Sequence, residues 1–159
     1  MNNPLYAQYK TDKNLELQGI FFEVGEIKEP GPDGQEVKKP IRFKIARAGG
    51  ANSNFAKAME RESKPFKRAI QTKTLSNEKA DEIYRRAFVS GVLLGWENVR
   101  DQENRDLAFT FDNALQLFAD LPDLFNDLRE AATDAALFRE EVLEHDLGNS
   151  GPSSSTASS

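Results

Sequence analysis

The spacing of apolar residues changes near residue 50, from a repeat of two to a repeat of three to four. Residues 1–13 are mostly polar and read as an N-terminal arm. In LELQGIFFEV (Leu15–Val24), Leu15 and Leu17 hold odd positions and Ile20, Phe22 and Val24 even ones, a pattern that predicts a strand with a bulge at Gly19. EPGPDGQ (29–35) is dense in turn residues. In Ile41–Ile45 the apolar Ile41, Phe43 and Ile45 alternate with Arg42 and Lys44, as in a half-buried strand. Residues 14–48 therefore read as a long-looped β-hairpin. Two strands are not stable alone in water, so the hairpin must lie on another surface.

After Gly49-Gly50 everything to Leu147 reads as helical, a domain over 49–147. The first helix is expected from Asn54 to Thr72, capped by Asn52 or Ser53, with Pro65 kinking or restarting it. Phe55, Met59, Phe66 and Ile70 share its inner face. The second is expected from Ser76 to Glu97. Its latter half, AFVSGVLLGW, is apolar almost all round, as in a central bundle helix, and Gly91 and Gly95 would admit a close neighbour. Trp96 reads as core. Thr110 caps a short third helix to about Ala119. Pro122 begins a last helix reaching about Asp146, on which Leu124, Phe125, Leu128, Ala131, Ala135, Phe138 and Val142 keep a three–four spacing. Phe88, Leu94, Phe125 and Phe138 are expected to meet where the second and last helices pack. Residues 148–159 form a Ser-rich tail with nothing to bury and are expected to be disordered. The fold class expected is mostly α: a small bundle of about four helices with an N-terminal β-hairpin and a disordered C-terminal tail.

A chain of 159 residues can build one full core without metal or disulfide. It holds no Cys and a single His, His145, which removes thiolate chemistry, Cys-based zinc sites and His-pair metal sites. Gly49-Gly50 lacks the frame of a phosphate-binding loop, and no Ser or Thr has a base nearby in the pattern. The expectation is a protein that is not an enzyme, with no catalytic residue, cofactor or metal. There is no apolar run of membrane-spanning length and no signal peptide, so a cytoplasmic protein is expected.

Charge changes the picture more. Residues 1–100 carry 18 basic and 13 acidic side chains, whereas residues 101–147 carry 3 basic and 13 acidic. Lys38–Lys73 is the sharpest stretch, with 11 basic residues against Glu60 and Glu62. On the first helix Lys57, Arg61, Lys64 and Arg68 fall within about 60° of one another, opposite the apolar face. Arg42, Lys44, Arg47, Lys67 and Lys73 extend the patch. The last helix carries Asp123, Asp127, Glu130 and Asp134. Either set also suits a plain solvated helix face. Their opposite signs suit head-to-tail association of copies, or an acidic partner, better than nucleic acid, which the acidic half would repel.

The order of several segments is itself informative: ARAGGxN, KPFKRAI, AFVSGVLLGWENV, FxxxNAxxLFxDLPxLF and AALFRxExLE, spread over Ile41 to Glu144. In this order they resemble the tail assembly chaperones of long-tailed bacteriophages and prophages. The resemblance implies a mostly helical protein of the host bacterial cytoplasm. It would bind the tape measure protein in a spiral of self-associated copies, keep it soluble, promote polymerisation of the tail tube protein and leave before the virion is complete. Many members of that family also exist as a longer frameshifted form. A structural tail or head-completion subunit of the virion, or a nucleic-acid-binding regulator, are the alternative readings. The resemblance transfers no binding residues, so Arg42, Lys57, Arg61, Lys64, Arg68, Asp123, Asp127, Glu130 and Asp134 are proposed from charge and spacing alone.

Overall fold

A computed structural model describes residues 3–139. The elements in chain order are helices α1 (Pro4–Tyr9) and α2 (Lys13–Gln18), strands β1 (Ile20–Pro30) and β2 (Glu36–Ile45), helices α3 (Asn54–Ser63), α4 (Lys67–Gln71) and α5 (Asn77–Gly91), strand β3 (Leu93–Glu97), and helices α6 (Phe111–Asp120) and α7 (Pro122–Thr133). The three strands form one antiparallel sheet in the order β1-β2-β3. The expected mostly-α bundle is thus wrong: the fold is mixed α/β, and the hairpin is two-thirds of a sheet completed by a strand from the middle of the chain.

The hairpin itself forms, with shifted limits. Leu15–Gln18 is the body of α2 rather than strand, capped by Asp12, whose carboxylate accepts the Asn14 and Leu15 N–H groups. Gly19 ends this helix at φ 89 instead of making a bulge. The bulge sits at Val24, between the pairs Glu23–Arg42 and Gly25–Ile41. Phe43 on the central strand faces Phe22 on one side and Trp96 on the other.

The larger correction concerns AFVSGVLLGW. Helix α5 starts as expected, with the Ser76 hydroxyl accepting the Lys79 N–H, but it stops at Gly91. The Ala46 N–H then bonds the Val92 carbonyl, and Leu93–Glu97 runs antiparallel to β2. An apolar run bounded by a helix end and a turn has no period that separates a buried helix from a buried strand. Hydrogen-bonding capacity left open on β2 decides it here. As strand residues, Leu93 is buried whereas Leu94 points to the other face and is 43% exposed, against the expected core position. Trp96 is half-buried and donates to the Leu107 carbonyl at 2.9 Å. Asn98, at φ 60, closes the strand and donates to the Pro40 carbonyl.

Pro65 does restart the first helix, through a 3-10 turn at Lys64–Phe66. Ile70 ends up 44% exposed rather than inside. Thr110 caps α6 through the Asn113 N–H, and Pro122 stands at the start of α7. Helix α7 stops at Thr133, and a 3-10 turn, Ala135–Phe138, follows. The expected single helix to Asp146 therefore breaks at Asp134, whose side chain caps the new turn through the Ala136 N–H. Its last stretch, with Val142 and His145, and the Ser-rich tail at 148–159 lie outside the described residues.

The main core joins the inner face of the sheet to α5, α6 and α7: Phe43, Ile45, Phe88, Val92, Phe118 and Leu128 are its buried centre. Phe138 is also fully buried, but beside α2, where its carbonyl accepts the Asp12 N–H. Helix α3 crosses the end of α5 backbone to backbone. A Cβ on Gly91 would lie 2.8 Å from Phe55 Cα and 2.9 Å from the Asn54 carbonyl oxygen, whereas one on Gly95 would meet open space. Gly91→Ala should therefore lower stability by about 1–3 kcal/mol, because backbone atoms must move to admit the methyl. Gly95→Ala should stay within about 0.5 kcal/mol of the unmodified protein in the same urea titration.

Candidate partner-binding surface

The basic residues of the first helix lie where the periodicity puts them. Lys57, Arg61, Lys64, Lys67 and Arg68 are all exposed along α3, the Pro65 turn and α4, while Ala58 is buried beneath. Among the described residues Lys57, Lys64, Lys67 and Arg68 make no ion pair. Arg61 donates to the Ser90 hydroxyl at 3.0 Å and stands 3.5 Å from Glu62. Glu62 is itself held by Arg86 at 2.7 Å. The outer face of α3–α4 is therefore net positive, with exposed Glu60 between Lys57 and Lys64 and an apolar spot at Ile70.

Arg42 does not join this face as a free cation. It lies opposite Glu97 across β2 and β3 and donates to that carboxylate through Nε at 2.9 Å, while its guanidinium stacks 4.5 Å from the Phe21 ring. Lys39 pairs with Glu29, and Arg47 with Glu16. Counting charge over Lys38–Lys73 overstated the patch because these carboxylates, Glu16, Glu29 and Glu97, lie outside that stretch of sequence.

Asp123, Asp127 and Glu130 are exposed along α7, and Asp134 is exposed at its C-terminal cap. None forms an ion pair among the described residues. The one cation on this helix, Arg129, turns aside and lies 4.1 Å from the Tyr84 ring centre. Tyr84 in turn packs edge-on against both Phe55 of α3 and Phe125 of α7. The two charged helices thus flank the same residue of α5 and present opposite signs to solvent. Among the described residues no three His, Cys, Asp or Glu side chains gather as a metal site would need, and no helix is long and apolar enough to cross a membrane.

Two polar clusters, neither legible as such in the sequence, tie parts of the scaffold together. Glu16 is buried, and burial alone would raise its pKa. Hydrogen bonds from Arg47, the Ala51 N–H at 3.0 Å and the Thr11 hydroxyl at 2.8 Å outweigh that and bring it below its usual 4.5. Gly50, at φ 56, passes so close to Glu16 and Arg47 that a Cβ would collide with both. Asn52 is buried beside this loop, donating to the Arg47 and Gly91 carbonyls, both at 2.8 Å. ARAGGAN is thus a latch that ties α2, β2 and the end of α5 together. The second cluster centres on Glu29, lowered to about 2 by hydrogen bonds from Lys39 and Arg100, which pins the outer half of the hairpin to the loop after β3.

The sequence model of the family described as YdaY prophage protein matches residues 50–149, well over half of the chain. No curated protein and no solved structure matches it.

Proposed function

Because the chain belongs to the YdaY prophage protein family, we propose that it is a tail assembly chaperone: a non-enzymatic protein of the host bacterial cytoplasm that binds the tape measure protein and keeps it soluble. In this reading copies associate head to tail along the partner, promote polymerisation of the tail tube protein and depart before the particle is finished. Phage origin and the ordered segments from Ile41 to Glu144 support it. The observation that carries it is the net cationic face of α3–α4, on which Lys57, Lys64, Lys67 and Arg68 form no ion pair among the described residues, on a body whose α7 is anionic.

Such surfaces suit a chaperone that must let go. An exposed ion pair contributes only about 0–1 kcal/mol. A partner is then held by many weak contacts over several copies and released when tube subunits compete. Single substitutions should do little. The triple change Arg61→Glu, Lys64→Glu, Arg68→Glu should weaken self-association and capture of a co-expressed tape measure protein together. Helical circular dichroism should be retained, since all three side chains are exposed. Capture by the unmodified protein should also fall with added salt, because exposed charges are screened over about 8–10 Å at physiological ionic strength. Normal assembly and capture by the triple variant at low salt would refute the charge model. A structural subunit would instead be found in purified particles.

A further inference from the structure

Among the described residues nothing packs over helix α1. It is six residues long and buries nothing, although isolated helices this short do not persist in water. Its start is nonetheless well formed: the Asn3 side chain accepts the Leu5 N–H at 2.9 Å, and Pro4 occupies the first turn. Leu5, Tyr6 and Tyr9 are 65%, 67% and 66% exposed, and Leu5 and Tyr9 share one side of the helix at i and i+4. Two tyrosines and a leucine held out in water are the side chains that make anchors in protein interfaces.

The chain also carries a matching vacancy. The outer hairpin, the start of the loop after β3 and the junction of α6 with α7 enclose a groove of about 530 Å³. Val24, Ile27, Ile41, Val99, Leu121 and Leu124 line it, together with Arg100, Asp101 and Asp127. Arg100 is held by Glu29 and Asp101 by Arg105, which leaves Asp127 without an ion pair among the described residues. Residues 3–11 carry one charge, that of Lys10, and no carboxylate, so Lys10 and the unpaired Asp127 of the groove are complementary in sign. Five of the eleven large apolar side chains exposed among the described residues lie on these two surfaces: Leu5, Tyr6, Tyr9, Val24 and Leu121.

The arm does not fill its own groove. Its root is fixed where the Thr11 hydroxyl meets Glu16 and the Asp12 N–H meets the Phe138 carbonyl. From there Tyr6, Ala7 and Lys10 lie along a cleft beside Arg139 that has no residue in common with the groove.

We propose that α1 of one copy docks into the β1–β2–α7 groove of a second copy, seating Leu5, Tyr6 and Tyr9 on its apolar lining with Lys10 toward Asp127. The contact is between two different surfaces, so each copy keeps one arm and one groove free and the association propagates. This deepens the self-association in the reading above and rests on it. It supplies an apolar contact that salt will not dissolve.

The test uses the full chain and sedimentation velocity. The arm variant is Leu5→Ser with Tyr9→Ser; both side chains are exposed, so its melting temperature should not change. The groove variant is Leu121→Ser, at the residue before α7, where Ser is a favourable helix cap. Each alone should associate at least about tenfold more weakly than the unmodified protein, as expected when anchor side chains are removed. Mixed together they should form a one-to-one pair that grows no further, because one intact arm and one intact groove remain. Assembly of the arm variant like the unmodified protein would overturn the proposal, as would a mixture that stays monomeric, or an unmodified chain that is monomeric at every concentration. Capture of the tape measure protein, measured separately, separates the two ideas: an arm variant that fails to assemble supports the docking, with capture weakened only as far as fewer copies share the partner. Loss of capture with assembly intact would place the arm on that partner instead and overturn it.

Discussion

Phe88→Ala should cost about 3–5 kcal/mol, enough to consume most of the stability of a typical domain. Phe88 has no exposed surface, and its ring lies 5.2 Å from Phe125, edge-on, and 6.3 Å from both Tyr84 and Phe118. These rings come from α5, α6 and α7, so no single element can close the space that the missing ring leaves. Urea denaturation followed by tryptophan emission should show a much lower midpoint, or no folded baseline. Trp96 reports on the same core because it packs edge-on against Phe43. Phe88→Leu, which keeps most of the volume, should recover much of the loss. Leu94→Ala is the contrast: on the outward side of β3 it should change stability by only about 0.5 kcal/mol. Comparable losses for Phe88→Ala and Leu94→Ala would mean that residues 93–97 are not a strand.

That contrast also shows where sequence reading ran out. Caps and prolines were legible because they act locally: Ser76, Thr110, Pro65 and Pro122 each bound the element they were expected to bound. The alternation at Ile41–Ile45 was legible because Arg42 and Lys44 mark one face of β2. VLLGW carries no polar residue to mark a face, and its fate depends on an open edge of β2 some fifty residues away. In α2 the alternation of LELQ came from a buried carboxylate, Glu16, in a position that reads as a solvent-facing one. The last helix broke at Asp134 because that residue caps a new turn, a choice that the continuing three–four spacing conceals.

The candidate surface divided along the same line. Lys57, Arg61, Lys64 and Arg68 are exposed as the helical arithmetic requires, and Asp123, Asp127 and Glu130 likewise, since exposure on one helix is a local property. Neutralisation is not. Arg42 finds Glu97, Lys39 finds Glu29 and Arg47 finds Glu16 only after the sheet and α2 are assembled. The polar-looking arm concealed a further feature, because Leu5, Tyr6 and Tyr9 become conspicuous only when no described residue covers them.

Arg47→Ala should destabilise the protein by about 3 kcal/mol at neutral pH, the low end for a broken buried pair because Arg47 itself keeps a quarter of its side chain in water. The Glu16 carboxylate would stay buried with only the Ala51 N–H and the Thr11 hydroxyl, and the latch at Gly49-Gly50 would lose its cation. The pH dependence should identify the cause. In the unmodified protein the Glu16 pKa is lowered from 4.5, so its contribution is present above that pH and is lost as pH falls through the lower folded value. Without Arg47, burial becomes the dominant influence and the folded pKa should lie above 4.5. The contribution then reverses sign: the fold is favoured with Glu16 protonated and weakens as pH rises from 4.5 through the folded pKa. The deficit of Arg47→Ala relative to the unmodified protein should therefore shrink on acidification from pH 7 toward pH 4.5. The double variant Arg47→Ala with Glu16→Gln should lose that dependence and recover part of the stability, since a neutral amide is cheaper to bury than an unpaired carboxylate. A deficit that stays constant across this range would show that Arg47 acts through packing alone and that Glu16 does not depend on it for its charge.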